Sequence, residues 1–565
     1  MKPKQPLLIT SEDGQTTNEE EQSKIIAKYF KNVFYKNAEP MPNLQLTPMT
    51  KPFTPSEIKT AVSKLKTNKS PGCDDIPVEL IKNSPYTIYK YIAEIFNKIA
   101  SHNECPNEIN HGLLIPIQKP GKSRGPASNL RPIILLSTLR KILAVCIMGR
   151  IGVKMDEETP ISQAAYRQGR STTEHVFATK LVIERTITAK NETVHLTLLD
   201  TSKAFDSIKR KIIIEYLQNT IEADELFIMK KMLEVSLAVK CGDTISETFN
   251  TDTGAPQGDC ASANIFTYYL AKSLGEKPSD LGLHDHQYCS KNITNNEIPD
   301  EIIEHNYTSQ TQIQHIDIDM EYADDISKIT SDYNNIRKYE HDITEKLDRN
   351  GLKINNSKTE KFIINRNNDQ WKKCRLLGTL LDTSEEIKRR KALTINAANN
   401  LSHFFNNNKL TIMTKVRLIN TYVEPIFLYN AETWTVNKTK EEEINAFQRN
   451  ITRKYILNIK WPKIISNNEL YAKTKIEKWN NKIKFRRLKW FGHITRAKEG
   501  TPTKLAMRYA LSNYQKRPGK PITTWISSLK NDLKNMNKTW REAETLAIEN
   551  EKEWLDTIKT YMKEK

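Results

Sequence analysis

At 565 residues, 38% of them hydrophobic, the chain is too long for one ordinary core and apolar enough to bury several, which excludes wholesale disorder and predicts roughly two to four compact units. The formal charge of +18 is uneven: from Leu401 onward 33 Lys/Arg face 16 Asp/Glu, leaving about +1 for the first 400 residues. A near-neutral body with a basic C-terminal part suits a protein that grips a polyanion, although a solvated lysine-rich helical surface has the same balance.

The seven cysteines form no C-x-x-C pair and no Cys/His cluster at zinc spacing, so reduced thiols in an intracellular protein without structural zinc are expected. Residues 1 to 6 begin no apolar stretch of signal-peptide length. The most apolar segment, Ile133 to Val153, is interrupted by Arg140, Lys141 and Arg150, so no membrane span and a soluble protein are expected.

Residues 1–22 are polar, end in Glu19-Glu20-Glu21 and read as a disordered linker. Ile25, Ile26, Tyr29, Phe30 and Phe34 then follow helical spacing. In Lys69-Ser70-Pro71-Gly72-Cys73-Asp74-Asp75-Ile76-Pro77 the turn residues predict capping and turn roles for both aspartates rather than metal binding. Residues 113 to 143 read as strand, Gly/Ser loop, strand and helix. From Asp200 to about Leu381 strands and helices alternate, interrupted by a polar stretch, 277–315, taken as an insertion loop. Beyond Lys388 the pattern is helical, with aromatics among Lys and Arg.

Three motifs carry chemistry. Asp200 ends the apolar run Val194-His195-Leu196-Thr197-Leu198-Leu199 and opens Asp200-Thr201-Ser202-Lys203-Ala204-Phe205-Asp206. Tyr322-Ala323-Asp324-Asp325 follows a second strand-length segment, and Gly254-Ala255-Pro256-Gln257-Gly258 lies between them. Alone, each is an ordinary turn. In this order they place carboxylates at the edge of one sheet, where three can hold two Mg²⁺ ions for in-line phosphoryl displacement.

This ordered set, with the blocks around it, resembles the reverse transcriptases of non-LTR (LINE-like) retrotransposons. The resemblance extends from about residue 20 to 545 and includes Gln163-Ala164-Ala165-Tyr166-Arg167-Gln168-Gly169-Arg170, Gly351-Leu352-Lys353-Ile354, Leu376-Leu377-Gly378-Thr379 and Leu488-Lys489-Trp490-Phe491-Gly492-His493. It implies an α+β right-hand polymerase fold: fingers over 23–193, a palm of antiparallel sheet with helices over 194–387, and a helical thumb with a basic nucleic-acid-binding region over 388–565.

It also implies residue roles. Asp200 and Asp324 are principal ligands for two Mg²⁺ ions, with Mn²⁺ as substitute, supported by Asp325 and the Thr201 carbonyl. Lys119 and Arg131 clasp the triphosphate, with Lys122 and Arg124 nearby. Phe205 excludes a 2′-hydroxyl, while Gln257 and Gly258 brace the nascent base pair. Lys358 acts as general acid toward pyrophosphate, and Arg167 and Arg170 contact template phosphates or, nearly as readily, form surface ion pairs. Asp206 is expected to cap a helix, the Gly378 hairpin to position the primer end through close packing, and Trp434, Trp490 and His493 to be structural.

The implied activity is RNA-directed DNA synthesis from dNTPs on an RNA template and a DNA primer, in the nucleus after a cytoplasmic ribonucleoprotein stage. An endonuclease domain usually precedes such a chain; none is visible, nor a nuclease tail or ribonuclease H signature, so a fragment or partial copy that does not nick its own target is expected. A viral RNA-dependent RNA polymerase is disfavoured by Phe205 and by Tyr-Ala-Asp-Asp in place of Gly-Asp-Asp. A group II intron maturase should differ in its tail, and a decayed copy that only binds RNA is the non-enzymatic alternative.

Overall fold

The computed structural model describes residues 7–11, 14–45, 49–102, 105–275, 315–460 and 462–563. The expected insertion over 277–315 lies, but for His315, outside the described residues. Two compact units divide the chain: residues 1–168, 199–280 and 339–359 form the first, and 169–198, 281–338 and 360–565 the second. Both mix helices and strands, and from Thr383 onward the described elements are helices. Among the described residues no helix is long and apolar enough to cross a membrane.

In the first unit, Ile9–Ser11 and Gly14–Thr16 pair as an antiparallel hairpin, where the polar composition predicts a disordered linker. The reason is one apolar side chain and one amide. Ile9 is wholly buried, and the Gln22 amide donates to the carbonyls of Leu7 (2.7 Å) and Thr16 (3.0 Å). The three glutamates form the first turn of helix Glu19–Phe34, where Asn18 accepts from the N–H groups of Glu20 and Glu21. There they complement the positive end of the helix dipole. Its apolar face, Ile26, Phe30 and Phe34, packs on Leu114, Ile134 and Leu237 of the sheet behind it.

That sheet pairs His111–Gln118 antiparallel with Leu130–Leu136, Ile117 opposite Arg131. Its other neighbour, Ser236–Cys241, runs parallel, which a connection of more than a hundred residues permits. Helix Thr138–Glu157 leaves the sheet with two N-terminal acceptors: Ser137 Oγ takes the N–H of Arg140 (3.2 Å) and Asp74 Oδ2 that of Thr138 (3.1 Å). Asp74 therefore serves helix capping, as its turn-rich setting predicts.

In the second unit, Asp317–Tyr322 and Asp325–Thr330 form a hairpin with Asp325 opposite Tyr322. The strand Val194–Ser202 begins here, its first residues pairing with Glu360–Ile364 and neighbouring Asp325–Thr330 in the sheet. Leu196, Ile318, Met320 and Ile329 enter one core with Val176, Phe177 and Trp525. Trp434 is wholly buried and Trp490 is 9% exposed, the latter edge-on to Phe177 at 5.9 Å. Both are packing anchors, as expected.

Candidate active site

Asp200 stands near the end of Val194–Ser202, where Thr201 and Ser202 pair with Ile354 and Lys353. The same segment returns Lys358 to it: Lys358 Nζ lies 3.0 Å from Asp200 Oδ2, and the Asn355 N–H donates to the Asp200 carbonyl at 2.7 Å. The Asp200 side chain keeps 30% of its surface exposed, so it is an accessible carboxylate already holding a cation.

Past Ser202 the backbone turns sharply. Lys203 takes a left-handed conformation (φ 49°) and opens a 3₁₀ turn over Ala204–Ser207. The turn half-buries Phe205, which stacks on Phe266 with ring centroids 4.4 Å apart. Asp206 is buried inside the turn, not at a helix end. Its carboxylate accepts from Gln257 Nε2 at 3.1 Å, a role the expected helix cap does not describe.

The Gln257 carbonyl accepts from the Ile134 N–H at 2.8 Å, tying this loop to strand Leu130–Leu136. Gly258 is required there: φ is +125°, and a Cβ would lie 2.5 Å from the Ile134 carbonyl oxygen. Lys119 follows strand His111–Gln118, its ammonium donating to the Ser128 carbonyl at 2.8 Å. Burial holds the Lys119 pKa below the usual lysine value; Asp206 opposes that shift, while Lys203, Arg131 and Lys358 add to it. Lys119, Arg131, Lys203 and Lys358 thus form one field of positive charge, suited to an anion with several charged oxygens. Lys203 is the member that motif reading missed; its lone signal is a cation beside Asp200.

Burial pushes the Asp206 pKa from 3.8 up to about 6, against the pull of Lys203, Gln257 and Lys119. An acid with a raised folded-state value binds its proton more tightly in the fold. Stability is therefore greatest below the unfolded value and declines as pH rises toward 6 and beyond. Asp206→Asn keeps an acceptor for Gln257 and removes the charge. Thermal melts should show it stabilised by about 3 kcal/mol at pH 8, with no gain near pH 3.5. Equal shifts at both pH values would contradict this origin.

A second buried group supports the same loop. Arg140 donates to Asp259 Oδ2 (3.1 Å from Nε, 2.7 Å from Nη2), to Asn110 Oδ1 (2.6 Å) and to the Met232 carbonyl. Both charged side chains are 2% exposed. The available signal was an arginine inside the chain's most apolar segment.

In the second unit, Ala323 and Asp324 form the two-residue turn of the hairpin, and Ala323 has φ +54°. A left-handed non-glycine residue costs of order 1–3 kcal/mol and persists where the surroundings impose it, often at working sites. Asp324 is half-buried and Asp325 exposed. The hairpin Arg375–Leu376 with Thr379–Leu380 is present as expected, but Gly378 does not serve close packing. Its Cβ position has ordinary room, 3.7 Å from Tyr429, whereas φ values of 45° at Leu377 and 80° at Gly378 are what the turn demands.

The two arginines expected near template phosphates have carboxylate partners. Arg167 binds the Asp156 carboxylate at 2.6 Å and the carbonyls of Pro160, Gln163 and Asp156; Arg170 binds Glu174 at 2.6 Å. Their forks are engaged in local structure, the ion-pair alternative. His493 stacks on Trp490 at 4.7 Å and approaches Glu174 at 3.6 Å, consistent with a structural role.

Among the described residues, no three His, Cys, Asp or Glu side chains are gathered around one possible ion position. Asp200 belongs to the first unit, Asp324 and Asp325 to the second. By donor chemistry all three are hard carboxylate oxygens that suit Mg²⁺, and Asp200 already accepts a cation.

Residues 117–381 match the family described as reverse transcriptase (RNA-dependent DNA polymerase). They form a reverse transcriptase domain. It covers Lys119, Arg131, Asp200, Gln257, Asp324 and Lys358 alike. The chain is 29% identical over 231 residues to the probable RNA-directed DNA polymerase from transposon X-element of Drosophila melanogaster, covering 40% of this chain and 25% of that protein. It is 28% identical over 226 residues to the RNA-directed DNA polymerase from mobile element jockey of Drosophila funebris, covering 39% and 24%. The chain thus spans about a quarter of the length of these relatives. Among solved structures it is similar to apo telomerase from Candida tropicalis, at 11% identity and a TM-score of 0.33 over 52% of this chain and 58% of that one.

Proposed function

We propose that the chain is an RNA-directed DNA polymerase of the LINE-like transposon kind, with a right-hand arrangement of fingers, palm and thumb. It would extend a DNA primer with dNTPs on an RNA template, acting in the nucleus. The observation that carries this reading is the reverse transcriptase domain over residues 117–381, within which a half-buried Asp200 carboxylate stands beside a field of four cations.

Asp200, Asp324 and Asp325 are the residues that would hold two divalent ions, Mg²⁺ or in its place Mn²⁺, with the Thr201 carbonyl as a further oxygen donor. Bound there, such ions activate the primer 3′-hydroxyl and neutralise charge on the triphosphate and the departing pyrophosphate. Lys119 and Arg131 receive the triphosphate, Arg131 as a planar fork and Lys119 as a point charge. Lys358, which pairs with Asp200, would give its proton to pyrophosphate. Gln257, held by Asp206 and the Ile134 N–H, positions the sugar or the template base.

Primer extension on RNA and DNA templates, with Mg²⁺ and with EDTA, tests the reading. Metal-dependent dNTP incorporation on RNA is expected; incorporation indifferent to EDTA would refute it, and RNA binding without synthesis would favour the non-catalytic alternative. Phe205, stacked on Phe266, would present its ring to an added 2′-hydroxyl. Phe205→Ala should relax discrimination against rNTPs by about 10- to 100-fold, measured as the ratio of kcat/KM values; an unchanged ratio removes Phe205 from that role.

A further inference from the structure

Lys203 is exposed, yet its position is fixed. Its left-handed backbone opens the 3₁₀ turn, and the Asp206 N–H donates to the Lys203 carbonyl at 2.9 Å. The ammonium meets one side chain, Tyr29, donating to its hydroxyl at 3.4 Å with the ring centroid 5.5 Å away. Tyr29 is neutral, and among the described residues Lys203 forms no ion pair. Lys358, by contrast, is matched by the Asp200 carboxylate. Lys203 therefore keeps its charge for an incoming anion.

Tyr29 is held in turn. It stands edge-on to Phe30 at 5.1 Å, on helix Glu19–Phe34. That helix packs on Leu114, in the strand that leads to Lys119, and on Ile134, in the strand that contains Arg131. Its last carbonyl, Phe34, accepts from the N–H groups of Asp252 (2.9 Å) and Thr253 (3.2 Å), next to the loop of Gln257 and Gly258. One helix thus backs the sheet of Lys119 and Arg131 and also restrains Lys203. Lys203 and Arg131 both act on the charge of Lys119, so one extended anion can meet all three. A loose lysine loses rotamer freedom when it grips an anion, and one already restrained loses less.

We propose that Lys203 binds the triphosphate of the incoming nucleotide and that Tyr29 is the positioning residue that holds its ammonium for that anion. The choice of a nucleoside triphosphate rests on the polymerase reading above.

Equilibrium titration of the full chain with dTTP and Mg²⁺ tests this without any primer extension, so its failure is distinct from failure of that reading. Lys203→Gln should weaken dTTP binding about tenfold, and Lys203→Arg should restore most of it. Tyr29→Leu should weaken it about threefold, with Tyr29→Phe, which keeps the ring, between Tyr29→Leu and the parent. Because Tyr29 acts through Lys203, Tyr29→Leu should add nothing in the Lys203→Gln background; a merely structural tyrosine would weaken binding equally in both. In primer extension the KM for dNTP should rise by the same factors, by more than any fall in kcat. Absence of dTTP binding by the parent chain, unchanged affinity in Lys203→Gln, or equal effects of Tyr29→Leu in the two backgrounds overturns the proposal. So does weakened binding of the primer–template in Lys203→Gln with dTTP binding intact, which assigns the ammonium to a strand phosphate.

Discussion

Asp324→Asn is expected to lower dNTP incorporation on an RNA template by at least about a thousandfold, with the melting transition unchanged. The carboxamide keeps the size of the side chain and removes the negative charge that a divalent ion requires. Loss of that charge stabilisation is worth several kcal/mol in the transition state. Fold effects should be small, because Asp324 lies in the hairpin turn and contributes no pair to the register on either side. Asp200→Asn should match it in activity, but it also removes the carboxylate that holds the Lys358 ammonium. Steady-state kcat measured with Mg²⁺ decides the matter. Undiminished synthesis by Asp324→Asn would separate this carboxylate from the chemistry.

The largest expected effect on stability comes from Arg140→Met. Methionine fills much of the same volume but strands Asp259 as an unpaired charge at 2% exposure and leaves Asn110 Oδ1 and the Met232 carbonyl without their donor. Removing one partner of a buried pair costs about 3–5 kcal/mol. The double variant Arg140→Met/Asp259→Leu should recover part of that, since it removes the unpaired charge while Asn110 Oδ1, the Met232 carbonyl and the Ala261 N–H stay without their partners. Denaturant titration of the two variants checks both. A single variant as stable as the parent would show that Asp259 finds another partner or loses its charge.

Much of the first unit was legible because local chemistry and long-range packing agree there. The Gly/Ser loop between two apolar runs does become a hairpin, and Ser137 and Asp74 do serve the helix that follows. The N-terminal hairpin was not legible: its composition is polar, and its order rests on Ile9 and on a glutamine that reaches back to two carbonyls. Position along the chain singled out Asp200, Phe205, Gln257 and Asp324, since each lies in a motif whose order is informative. It did not reveal Lys203, whose place depends on a left-handed turn, or the Arg140–Asp259 pair, whose members stand far apart in sequence. Arg167 and Arg170 show the reverse. Basic side chains in a telling block were engaged by nearby carboxylates, which is the common fate of an arginine near a helix end.

Because His111–Gln118 is flanked by Leu130–Leu136 on one side and by the parallel Ser236–Cys241 on the other, the layer bearing Lys119 and Arg131 closes late in synthesis. A ribosome that has released only the first two hundred residues leaves one margin of that strand bare, and a bare margin invites pairing with a second nascent chain. Any shortened version made in the laboratory should therefore keep residues 111 through 250 in one piece, and truncations ending before Ser236 should precipitate rather than fold.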